Sequence, residues 1–188
     1  NELLLPKESK IIEKQYDNIA PSSPYVHGTI DDLILEAIHS HNNGNMQKAV
    51  QIYTRIIESK PEPNPIVLSV IYKHRGMAHF AMNNFDDALL DFKKSTEYDS
   101  NNFRSFYYIG IVYSVIGENA KALEVFDKSL EINQYQSHVY YRKALAWYAL
   151  ADYSNAMNCL NKAQKLGLKN EDCQRLQENL VKKLDMGM

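Results

Sequence analysis

Six histidines, His27, His39, His41, His74, His79 and His138, are the side chains best suited to hold a metal or move a proton. No two stand four apart with a glutamate between them, the spacing that sets two ligands and a general base on one helix face. His39 and His41 are two apart, which sends them to different sides of a helix. Cys159 and Cys173 are too few for a four-ligand zinc site or a disulfide framework; a single disulfide stays open, and both read as packing residues. The acid pairs Asp31-Asp32 and Asp86-Asp87 fall at helix starts, where the helix dipole accounts for them without acid-base catalysis. A phosphate-binding glycine loop, a Gly-x-Ser-x-Gly elbow and a kinase signature are all missing from the sequence. The expectation is a chain with no catalytic constellation, no metal and no cofactor, whose function lies in a surface.

The elements that build that surface are helical. Seven glycines and six prolines in 188 residues leave long stretches in which apolar residues recur at helical spacing, and no strand-like alternation competes. With 21 Lys and Arg against 23 Asp and Glu the net charge of -2 supplies no general field for nucleic acid. No segment approaches the ~20 apolar residues of a membrane-spanning helix, so no membrane insertion is expected. Cytoplasmic placement is expected, with export or a periplasmic location left open because the first residue is Asn1 and a removed targeting segment would be invisible.

A repeat organises the helices. Ala49-Val-Gln-Ile-Tyr53, Ala88-Leu-Leu-Asp-Phe92, Ala122-Leu-Glu-Val-Phe126 and Ala156-Met-Asn-Cys-Leu160 align with alanines 39, 34 and 34 residues apart. Upstream of them stand Leu33-x-x-Glu36-Ala37-x-x-Ser40, Tyr72-x-x-Arg75-Gly76-x-x-His79, Phe106-x-x-Ile109-Gly110-x-x-Tyr113 and Tyr140-x-x-Lys143-Ala144-x-x-Trp147. The small residues Ala37, Gly76, Gly110 and Ala144 suit a close crossing of paired helices, and Tyr53, Phe92 and Phe126 fill the space between them. Thr29 with Asp32 forms a capping box, Asn64-Pro65 caps a later helix, and Gly44, Gly117 and Gly167 end helices. Helix pairs are predicted over 30 to 60, 65 to 98, 103 to 132 and 137 to 166.

These motifs resemble the tetratricopeptide repeat family over roughly residues 30 to 170, although the closing proline appears only as Pro61, with Ser100, Gln134 and Leu168 at the other closing positions. The resemblance implies an all-α, right-handed α-solenoid of four helix pairs, divided as 30-63, 64-102, 103-136 and 137-168. A capping helix over 169-188 carries Cys173, Leu176, Leu180 and Leu184 on one stripe. Residues 1-29 break the period and read as an N-terminal arm, with Leu3-Leu4-Leu5, then Ile12, Tyr16 and Ile19 at helical spacing, then Pro21 and Pro24.

In such a solenoid the first helix of each pair builds the concave wall. Segments 66 to 82, 103 to 116 and 137 to 150 hold no acid and five bases, Lys73, Arg75, Arg104, Arg142 and Lys143, whereas the partner helices carry nine acids and six bases. The family geometry points Val70, Lys73, Met77 and Phe80, then Arg104, Tyr107, Ile111 and Ser114, then His138, Tyr141, Leu145 and Tyr148 into the groove, with Arg142 beside them. The expected partner is a protein or peptide segment with acidic and apolar groups, bound by a non-catalytic adaptor or scaffold. The family's two-carboxylate clamp is matched only by Lys73 and Arg142; Met77 and Tyr108 replace its asparagines and His138 its second lysine. Self-assembly through the arm or the solenoid ends is one alternative, and RNA binding on the tyrosines, disfavoured by the charge balance, is another.

Overall fold

The computed structural model describes residues 29–185, and all regular structure among them is helical. Nine helices follow one another: α1 (Ile30–Asn42), α2 (Met46–Ile57), α3 (Pro65–Ala81), α4 (Phe85–Tyr98), α5 (Phe103–Val115), α6 (Asn119–Ile132), α7 (Ser137–Ala149), α8 (Tyr153–Lys165) and α9 (Glu171–Asp185). They pack as four antiparallel pairs, each second helix also touching the first helix of the next pair, with α9 closing on α8. The chain is an α-solenoid. The arm lies outside the described residues, except that Thr29 belongs to the cap of α1.

Local chemistry sets the boundaries. Thr29 accepts the Asp32 backbone N–H at 3.2 Å while the Asp32 carboxylate accepts the Thr29 N–H, so two of the orphan donors at the start of α1 are satisfied. Asn64 caps α3 through the Val67 N–H at 3.0 Å, with Pro65 at the first helical position. Each turn between paired helices uses one left-handed residue at the same repeat position: Gly44, Asn83, Gly117 and Ala151, with φ between 60° and 86°. Gly44 and Gly117 are the helix-ending glycines expected from the sequence, and Asn83 and Ala151 make the same turn without glycine.

Within the pairs, aromatic residues meet small ones. Tyr53, Phe92 and Phe126 are fully buried, and a Cβ on Gly76 would come within 2.8 Å of the Phe92 ring. In the fourth pair Ala144 and Leu160 occupy the equivalent places and share a cluster with Cys173, Leu176 and Leu180 of α9. Both cysteines are free, and burial pushes both thiols up, so they pack as neutral side chains.

The junctions between pairs differ. Between the first and second pairs an apolar cluster holding Ile56 and Ile71 lies beside a hydrogen bond from Arg75 to Thr54. Between the second and third, Ser95 shares hydrogen bonds with Ser69 and Ser105, and the Asn102 amide donates to Ser69 at 3.0 Å. Gln136, one repeat after Asn102, donates to the Ser129 carbonyl at 2.9 Å across the next junction. A buried hydroxyl without a partner costs ~1–3 kcal/mol, so these networks are stable only in one register.

Candidate functional site

The first helices of the last three pairs, α3, α5 and α7, which are expected to line the groove, touch in sequence: α3 meets α5, and α5 meets α7. Tyr107 of α5 and His138 of α7 meet edge to face at 4.8 Å, which fixes one side of the wall. The 34-residue register places Arg104 and His138 in one row, Lys73, Tyr107 and Tyr141 in a second, Met77, Ile111 and Leu145 in a third, and Phe80, Ser114 and Tyr148 in a fourth. Rings at the two ends of the fourth row turn toward the second helices, Phe80 against Phe85 at 5.6 Å and Tyr148 against Tyr153 at 5.5 Å.

The expected groove residues divide by depth. Lys73, Met77, Tyr107 and Ile111 are buried, at 8%, 7%, 2% and 5% exposure, and the last three belong to the central apolar cluster. Phe80, Arg104, His138, Tyr141, Arg142, Leu145 and Tyr148 are half-buried and keep surface to offer a ligand. Burial raises the Tyr141 hydroxyl above its usual range, and Asp172 of α9 adds to the shift, so the phenol remains neutral. The clamp positions filled by Met77 and Tyr108 are buried, Tyr108 stacking on Phe92 at 5.3 Å, and they supply no amide to a carboxylate.

The bases separate into two kinds, which a count by helix does not reveal. Arg75 points away from the groove row: its Nε and Nη2 donate to both oxygens of Asp91 at 2.8 and 2.7 Å, and its Nη1 donates to Thr54 at 2.9 Å. Lys143, the equivalent residue two repeats later, is bound to Asp127 of α6. Both carboxylates lie sixteen residues away, Asp91 after its base and Asp127 before it, a spacing that carried the signal once the second-helix acids are aligned with the first-helix bases. Arg104 and Arg142 have no carboxylate within 4 Å among the described residues, and Arg104 lies over the Phe103 ring at 4.8 Å.

Comparison with known proteins agrees with the architecture. The sequence profile of the tetratricopeptide repeat matches residues 137–167, the fourth helix pair. A TPR repeat-containing protein of Methanocaldococcus jannaschii is 29% identical over 139 residues, covering 68% of this chain and 24% of that protein. Small glutamine-rich tetratricopeptide repeat-containing protein 2 of Saccharomyces cerevisiae is 24% identical, covering 61% of this chain and 32% of its own length. The chain thus spans a third or less of these relatives. Among solved structures, Pseudomonas aeruginosa pilF superposes with a TM-score of 0.72 at 20% identity, covering 94% of this chain and 75% of that one.

The fold and the aligned motifs define a helical-repeat protein. The fourth helix pair matches the tetratricopeptide repeat, and the chain is similar to proteins built of such repeats, which generally mediate protein–protein interaction and scaffolding.

Proposed function

We propose that the concave wall binds an acidic, apolar segment of a protein partner, and that the chain works as a non-catalytic adaptor. The observation that carries this reading is the sorting of cations: Arg75 and Lys143 are consumed by acids between helices, while Arg104, over the Phe103 ring, and the half-buried Arg142 form no ion pair among the described residues. A guanidinium in that setting forms charge-assisted hydrogen bonds to a carboxylate, and tyrosines add contact area at small entropic cost. A first repeat domain of the protein Spaghetti, solved bound to the HSP90 peptide SRMEEVD, has a TM-score of 0.62 to this chain at 18% identity, covering 64% of this chain and 95% of that one. That likeness concerns the fold, and it is compatible with an acidic peptide as occupant.

The test uses a fluorescent twelve-residue peptide of alternating Glu and Leu or Phe. Its affinity for the wild type is compared with that for Arg104→Glu/Arg142→Glu by anisotropy at two salt concentrations. The double reversal is expected to weaken binding at least about tenfold, since two exposed ion pairs contribute ~0–1 kcal/mol each and reversal adds repulsion. An unchanged affinity would remove the electrostatic basis of the proposal. Lys73 is left alone in this test, because a charge reversal at 8% exposure perturbs folding and binding together.

A further inference from the structure

The most buried histidine among the described residues joins the first helix pair to the rest. His74 of α3 is 3% exposed, and its ring lies parallel to Tyr53 of α2 at 6.2 Å, and edge-on to His41 of α1 at 6.5 Å. One side chain therefore touches both helices of the first pair. In the next repeat the same position is Tyr108, stacked on Phe92, which carries no charge to gain near neutral pH.

The surroundings are hostile to a proton. Burial pushes the His74 imidazole well below its ordinary titration range, and the neighbouring Lys73 and His41 push the same way. Burial also lowers His41, whose Nδ1 is shut off from solvent without a hydrogen-bond partner. Acids that might compensate are committed elsewhere. Asp32 of α1 is held in its capping box, Glu36 of α1 pairs with Lys48 of α2, and the buried Asp91 of α4 is gripped by Arg75. Tyr53 is the titratable group that α2 sets against the ring.

We propose that this three-ring joint is an acid-sensitive hinge: on acidification α1 and α2 swing away from α3 while the later repeats remain closed, removing one end of the trough. The sign follows from linkage. A histidine neutral in the closed form and ordinary in the open form leaves stability untouched above about pH 6.5, and draws it down as pH falls below that value. Two such groups open the joint by about ten- to a hundred-fold more at pH 5.5 than at pH 7. His41 of α1 shares the repeat position of Phe80 and Tyr148, so the change occurs beside the end of the proposed groove that α3 forms.

Amide hydrogen exchange by mass spectrometry, corrected for intrinsic rates, tests this on the full chain at pH 7 and pH 5.5. The wild type should lose about ten- to a hundred-fold protection in α1 and α2 with α6 to α8 unchanged. His74→Tyr, which copies Tyr108, should reduce the loss to about tenfold or less, and His74→Tyr/His41→Phe, which also copies Phe80, should abolish it. Protection of α1 and α2 that is flat with pH in the wild type overturns the proposal without recourse to any variant. So does an equal loss across all repeats, or a double variant that keeps the wild-type fall.

Discussion

Arg75 and Arg142 are bases on equivalent first helices two repeats apart, and they have opposite fates. Arg75 makes three hydrogen bonds within the molecule, to Thr54 on α2 and to both oxygens of Asp91 on α4, so one side chain ties three helices. Arg142 sits one position back in the register, half-buried, and forms no ion pair among the described residues. A shift of one residue along a helix turns a side chain by ~100°, enough to move a charge from the seam between helices to the proposed groove wall. Charge composition of a helix therefore says little about function until each base has been assigned to seam or wall.

The sharpest way to break that comparison is to remove the seam cation. Arg75→Ala leaves the Asp91 carboxylate buried at 2% exposure with His79 3.9 Å away as the remaining cation-capable neighbour. The expected loss is about 3–5 kcal/mol in a denaturant melt, because an uncompensated buried charge is what makes such deletions costly. Arg75→Met/Asp91→Leu should recover most of it. Arg142→Ala should change stability by no more than about 0.5 kcal/mol, as expected of a residue outside the seam. Equal losses at Arg75 and Arg142 would show that the two regions are not distinct.

Packing inside the seam gives the next effect. Gly110 faces the buried Phe126 ring so closely that an added methyl overlaps it. Gly110→Ala should cost about 1–3 kcal/mol by calorimetry or denaturant, and Gly110→Ala/Phe126→Leu should cost less than the sum of its parts, since leucine vacates the space the methyl needs. Leu160 opposite Ala144 in the fourth pair is the natural version of that double change.

On the wall the expected effect falls on binding. Tyr141→Ala should weaken the acidic peptide by about 1–2 kcal/mol while leaving the melting curve of α1 to α6 in place, because an aromatic anchor at a half-buried site contributes contact area more than fold. A binding isotherm identical to wild type would move the ligand contact off α7.

Much of this molecule was legible before its coordinates. The alanine period, the small residues opposite large ones, the capping box at Thr29 and the Asn64-Pro65 start are local or strictly periodic signals, and each corresponds to an observed feature. The depth of the wall was not. Lys73, Tyr107 and Ile111 carry the right period for a groove lining, yet a period fixes the direction of a side chain and leaves open how far neighbouring helices close over it. Nor did a tally of charges by helix separate Arg75 from Arg142, since their partners lie on other helices and pairing is a property of the packed stack. The serine and asparagine joints at Ser95 and Asn102 escaped notice because small polar residues read as solvent-facing when taken alone.

The smallest effect lies where sequence and backbone disagree outright. Ala151 occupies the left-handed turn position that Gly44 and Gly117 fill in two other repeats, with φ of 60°. A Cβ in that region costs about 1–2 kcal/mol, whereas glycine pays about 0.5–1 kcal/mol more conformational entropy when the chain folds. The strain exceeds the entropy, so Ala151→Gly should stabilise the chain by about 0.5 kcal/mol, a shift of a few degrees at most in thermal melting. The reciprocal Gly117→Ala should destabilise by a similar amount, because no heavy atom lies near enough to its Cβ to add a clash and backbone conformation is the sole difference. If both substitutions move stability in the same direction, the turns are not equivalent, and the register that assigns every wall and seam residue from one repeat to the next loses its most local support.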